Sequence, residues 1–158
     1  MKKTISLLFT FILISSLSFS QTISTGKVPK DVKKTFSKEN PKAMKPIWSM
    51  SDVNYKVDFL SNGSKNSMTY DKSGKWLDKT MTISIARIPK EVKATLSKEF
   101  PGFRSTVAEQ ITSAENVITY HVGIVKAKEA YEVYFSATGD VIKKEPKAEN
   151  TTIPKKKK

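Results

Sequence analysis

The chain is 158 residues long, with 28 Lys and Arg against 15 Asp and Glu, a formal charge of +13, one histidine and no cysteine. Without cysteine there is no disulfide framework, thiolate zinc site, iron–sulfur cluster or cysteine nucleophile, and one histidine cannot build a multi-histidine metal site. The length suits one domain, and 38% hydrophobic with 27% charged residues is the composition of a packed globular protein rather than a disordered one.

The first twenty residues read as a secretory signal peptide. Lys2 and Lys3 give a basic head, Ile5 to Ile14 is an apolar run, and Ser18 and Ser20 place small residues before a cut at Gln21. The run is shorter than the ~20 residues that span a bilayer, and no cysteine follows it to carry a lipid. The expectation is export through the secretory pathway to the periplasm or the extracellular space, with no transmembrane segment after cleavage. An exported chain without disulfides must hold its core by packing alone.

Residues Val28 to Pro41 reappear sixty residues later as Ile88 to Pro101, with most pairs identical and Val28/Ile88, Asp31/Glu91 and Phe36/Leu96 conservative. The folded region, 21–145, is therefore read as a duplication with repeats at 28–83 and 88–145. Each copy opens on a short helix: a proline at its start, an acid in the first turn, and a second proline that stops it. Val28, Val32, Phe36 and Ile88, Val92, Leu96 recur every four residues, so each helix has one narrow apolar stripe among lysines. About ten residues is too short for a stable free helix, and the stripe must dock on something.

Strands supply that surface. Ile47 to Met50 suggests a short one. Tyr55, Val57 and Phe59 then alternate with polar residues, Asn62 and Gly63 turn the chain, and Met68 and Tyr70 alternate in the return strand. Asp71 to Gly74 turns again into a strand from Trp76 to Ile83. The second copy repeats the order near Ser105 to Ile111, Val117 to Val125, Tyr131 to Phe135 and Val141 to Lys144. Gly74 and Gly139 hold the same hairpin position, but sixty-five residues apart, so the second copy has gained five loop residues. The fold class is α+β: two tandem helix-plus-four-strand antiparallel units with both helices on one face of the sheet. The connection from Met81 to Arg87 favours one continuous sheet over two facing ones.

Helices on one face leave the other face to solvent or to a partner. If Tyr131, Val133 and Phe135 face the helices, Glu132 and Tyr134 face outward, as do Thr119 and His121 if Tyr120 and Val122 are core. The candidate protein-contact residues are Trp48, Trp76, His121, Glu132 and Tyr134, the two tryptophans with undecided facing. No catalytic, cofactor or metal residues are assigned. His121 has no nucleophile elbow to serve, Asp71 with Asp78 and Glu129 with Glu132 read as turn and solvent acids, and the glycines are scattered without a phosphate-binding loop.

The run Ile88 to Val92, continued by Glu99, Phe100, Pro101 and Gly102, then Tyr131 to Phe135 and Thr138, Gly139, Asp140, resembles the beta-lactamase-inhibitor-like, PepSY-like family of exported bacterial proteins. Val28 to Pro41 with Tyr70 to Gly74 resembles an earlier copy of the same pattern. The resemblance spans Val28 to Glu145 and implies helices on one face of an antiparallel sheet. It also implies a non-enzymatic role in which the open sheet face grips another protein, such as an envelope or secreted enzyme.

The end of the chain, 146–158, is rich in Pro, Thr and Lys and closes on Lys155, Lys156, Lys157 and Lys158, so it is read as a solvated basic tail. The function expected is that of an exported binding module with a protein partner. The alternative is a charge-driven binder of anionic envelope surfaces through Lys155 to Lys158 and the helix lysines. Nucleic acid is not expected, because no strand interleaves aromatic and basic residues as a single-strand platform does.

Overall fold

The structure is a computed structural model that describes residues 21–51 and 53–147. Its elements are β1 (Gln21–Ile23), α1 (Lys30–Glu39), β2 (Met44–Ser51), β3 (Asn54–Ser61), β4 (Ser64–Tyr70), β5 (Trp76–Thr82), α2 (Lys90–Glu99), β6 (Arg104–Ser113), β7 (Ile118–Lys126), β8 (Glu129–Ser136) and β9 (Val141–Pro146). All nine strands form one antiparallel sheet in sequence order, with β5 pairing directly to β6. The duplication thus builds a continuous meander. The expected signal peptide and the lysine run 155–158 lie outside the described residues. Pro146 and Lys147, expected in the tail, instead belong to the sheet: Pro146 ends β9 and the Lys147 amide donates to the Ala130 carbonyl at 2.9 Å.

Both helices lie on one face, each over its own half of the sheet. Val28, Val32 and Phe36 pack with Trp48, Val57, Phe59, Met68 and Tyr70, while Ile88 and Val92 pack with Ala108, Val122, Ile124, Val133 and Phe135. Val32 and Val92 are fully buried, each contributing roughly 1.5–3 kcal/mol. Pro29 and Pro89 stand one position ahead of the helices as caps, and their carbonyls accept the Lys33 and Lys93 amides at 3.1 and 3.0 Å. The hairpin glycines explain how closely each helix approaches. Gly74 and Gly139 have φ of +86° and +89°, and a Cβ on either would fall 2.8 or 2.7 Å from the backbone of Asp31 or Glu91. The first helical turn rests directly on the hairpin, so glycine is needed for both backbone conformation and contact.

Register locates the extra residues of the second copy. Ser51 pairs with Asn54, whereas the corresponding Ile111 pairs with Thr119, so the insertion lengthens the β6–β7 hairpin alone. β1 was not expected from the sequence. Its pairing of Thr22 with Ser49 has the same register as Thr82 with Glu109, which makes β1 the first copy's version of the end of β5. The repeat therefore begins before Val28.

Candidate functional site

The face opposite the helices carries Ile47 and Ser49 from β2, Lys56 and Asp58 from β3, Ser67 and Thr69 from β4, and Thr80 from β5. Glu109 and Ile111 from β6, His121 from β7, and Glu132 and Tyr134 from β8 complete it. This face is concave. A hollow of about 630 Å³ is walled by Ile47 at one end and by His121 and Tyr134 at the other. β2 and β8 would stand about 29 Å apart in a flat sheet with 4.8 Å strand spacing, so a shared hollow requires the sheet to coil toward the open side. Ser49 and Ser67, which point to that side, are only 7% and 9% exposed.

The most developed chemistry on this face is built around the single histidine. Glu109 is directly opposite His121 in the β6–β7 pair, and Tyr134 is directly opposite it in the β7–β8 pair. His121 Nδ1 lies 2.9 Å from Glu109 Oε2, and Nε2 lies 2.6 Å from Glu132 Oε2. The Tyr134 ring stacks on the imidazole with centroids 4.8 Å apart and planes 25° from parallel. Lys147 Nζ takes the other Glu132 oxygen at 3.1 Å.

Glu132 reaches His121 diagonally rather than as its direct partner, and Gly123 makes the path. Gly123 is the direct partner of Glu132, and a Cβ there would lie 2.7 Å from Val107 Cγ1 and 3.0 Å from Glu132 Oε2. The carboxylate occupies the space a side chain would fill.

Burial by itself would lower the His121 pKa, but hydrogen bonds and charge from Glu109 and Glu132 outweigh it, and the net shift is upward. The hydrogen bond from His121 in turn holds the Glu109 carboxyl below its ordinary range, with the Lys56 ammonium adding a smaller pull from β3. With both ring nitrogens engaged by carboxylates, the imidazole bridges three strands, and among the described residues no hydroxyl bonds to it. Among the described residues no group of three His, Asp or Glu side chains is arranged to hold a metal ion.

The duplication offers an internal comparison. By register, Glu109, His121 and Glu132 occupy the positions of Ser49, Lys56 and Ser67 in the first copy. That half folds into the same sheet with none of the three, so the architecture does not require the cluster.

Of the sequence-predicted contact residues, His121, Glu132 and Tyr134 come together here. Trp48 and Trp76 do not. Trp48 points to the helix side, is 3% exposed and meets Phe36 edge-on at 5.4 Å, so it is a core residue and not a contact residue. Trp76 is partly buried against the same core cluster. Glu109 was missed, and Asp71 is a turn residue whose Oδ1 accepts from the Ser73 and Lys75 amides at 2.8 and 3.1 Å.

The same architecture occurs in solved structures. A DUF2874 family protein from Bacteroides uniformis matches with a TM-score of 0.70 at 22% identity, covering 75% of this chain and 88% of that one. A BLIP-like protein from Bacteroides fragilis matches with a TM-score of 0.65 at 19% identity, covering 80% and 94%. This chain has the BLIP-like fold. A protein from Bacteroides eggerthii provisionally described as periplasmic matches with a TM-score of 0.71 at 20% identity over 75% and 88%. No family model and no curated protein matches the sequence. Among the described residues no helix is long and apolar enough to cross a membrane.

Proposed function

We propose that this chain is a non-enzymatic exported binding module that receives part of another envelope or secreted protein in the hollow of its open sheet face. The observation that carries this reading is the hollow itself: an unpartnered concave surface where apolar Ile47, 57% exposed, and Tyr134 flank polar and charged residues. Aromatic anchors surrounded by polar groups are the common make-up of protein-binding surfaces. Export is supported by the signal-peptide pattern of residues 1–20, and the BLIP-like fold of the Bacteroides fragilis protein is in keeping with a binding role. Inhibition of a captured enzyme is the finer form of the same reading.

The test is affinity capture from the host envelope with the parent protein and with Tyr134→Ala. Loss of capture with an unchanged unfolding midpoint supports the reading. Undiminished capture counts against it.

A second reading has its own observation. Lys30, Lys34, Lys38, Lys90, Lys93 and Lys98 are on helices lying opposite the hollow, and all are exposed. Together with Lys155 to Lys158 they would attract anionic surfaces. Binding to anionic vesicles that falls steeply with salt and survives Tyr134→Ala would favour that reading.

A further inference from the structure

The Glu109–His121–Glu132 bridge stands apart from the other ion pairs by its place in the fold. It faces the proposed docking hollow, it underlies the Tyr134 ring, and it is absent from the first repeat although that repeat folds alike. The His121, Glu109 and Glu132 side chains are 12%, 29% and 21% exposed, so they are shielded from bulk water yet reachable by protons.

A protonated imidazole has two N–H donors and satisfies both carboxylates; a neutral one has a single donor. On deprotonation, one carboxylate therefore faces a ring lone pair and keeps its charge without a partner. Glu132 still has Lys147 at 3.1 Å, whereas the Lys56 ammonium acts on Glu109 only through space. The groups facing the bridge from other elements are Tyr134 on β8 and, from β9, Lys143 and Glu145, which pair with each other at 2.8 Å; Lys143 Nζ is also 5.9 Å from the Tyr134 ring centre. None of these replaces the lost donor.

We infer that the Glu109–His121–Glu132 bridge is a proton-operated lock on the docking face: with His121 protonated it ties β6, β7 and β8 together and fixes Tyr134 for binding, and with His121 neutral it opens. This rests on the docking reading above. Partner binding is then tightest when His121 is charged and weakens as pH rises through its midpoint. The upward direction of the His121 pKa places that midpoint above the ordinary value of 6.5.

The only histidine of the chain gives a clean probe. In the free protein purified after export, nitrogen NMR of the ring should show both nitrogens protonated at about pH 5, with the Tyr134 ring resonances moving at the same midpoint as the imidazole. E109Q and E132Q, which keep shape and remove charge, should each lower that midpoint. A midpoint at or below 6.5, or one unmoved by both variants, overturns the lock.

Capture from envelope extract at about 1.5 pH units below and above the measured His121 midpoint, where the imidazole is almost wholly charged and almost wholly neutral, tests the coupling. The parent should lose capture several-fold at the higher pH, and H121Q should change less than about twofold over the same range. Capture by the parent that is equal at both values overturns the coupling and leaves the docking face standing. No capture at either value overturns the docking reading, and the coupling with it.

Discussion

Gly123 stands directly opposite Glu132 across the β7–β8 pair, and the missing side chain of the one is the resting place of the carboxylate of the other. A methyl group at Gly123 would meet Val107 Cγ1 at 2.7 Å and Thr106 Oγ1 at 3.1 Å as well as Glu132. Glu132 can swing away, but β-branched Val107 cannot do so cheaply. We expect Gly123→Ala to destabilise the fold by about 1–3 kcal/mol through overpacking and to lower the His121 midpoint by displacing Glu132. Chemical unfolding and ring NMR of the same sample check both; an unchanged His121 midpoint would separate Gly123 from the cluster.

Gly139→Ala should act on the other layer. The substitution forces a side chain into a left-handed backbone and against the Glu91 backbone at 2.7 Å. The expected cost is about 2–4 kcal/mol from strain and overpacking. Because α2 rests on that hairpin, its amides should lose hydrogen-exchange protection while those of α1 keep theirs. Equal loss in both helices would contradict the local contact. Gly74→Ala should produce the mirror result.

Stability should depend on pH from both sides of a plateau. His121 has an ordinary value of 6.5 and is raised by folding, so its contribution is complete below about 6.5 and disappears as pH rises through the folded midpoint. Glu109 has an ordinary value of 4.5 and is lowered by folding, so its contribution is complete above about 4.5 and disappears as pH falls through its folded value. Urea midpoints should therefore be highest between those limits. H121Q should remove the fall on the alkaline side, and a parent curve that rises there would contradict the bridge.

Trp48 and Tyr134 should separate fold from function. Trp48→Ala empties a core site against Phe36 and should cost about 3–5 kcal/mol. Tyr134→Ala removes a half-buried ring on the open face, and its main effect should fall on partner capture. Unfolding curves for the two variants, taken beside their capture yields, give the comparison.

The repeat, the two helices and the outward facing of His121, Glu132 and Tyr134 were legible because the helix stripes and the alternation in β7 and β8 are regular. Trp48 was not legible. β2 shifts register between Met44 and Ile47, and a bulge breaks the alternation from which facing is read. Glu109 was missed for a related reason: its pairing with His121 depends on the β6–β7 register, which carries its own shift between Ser105 and Val107 and an inserted hairpin. β1 was invisible because three residues carry no period, and only its equivalence to the end of β5 shows what it is. The hollow had no local signal at all, since coiling is a property of the whole sheet.

On the proposed function, the open face and not the helix face meets the partner. The direct measurement compares capture from envelope extract by two charge variants, each shown to be folded by its unfolding curve: Ile111→Glu in the hollow, and Lys30→Glu with Lys90→Glu on the helices. The first should lose the partner and the second should keep it. Capture retained by the hollow variant and lost by the helix variant would contradict the proposed function.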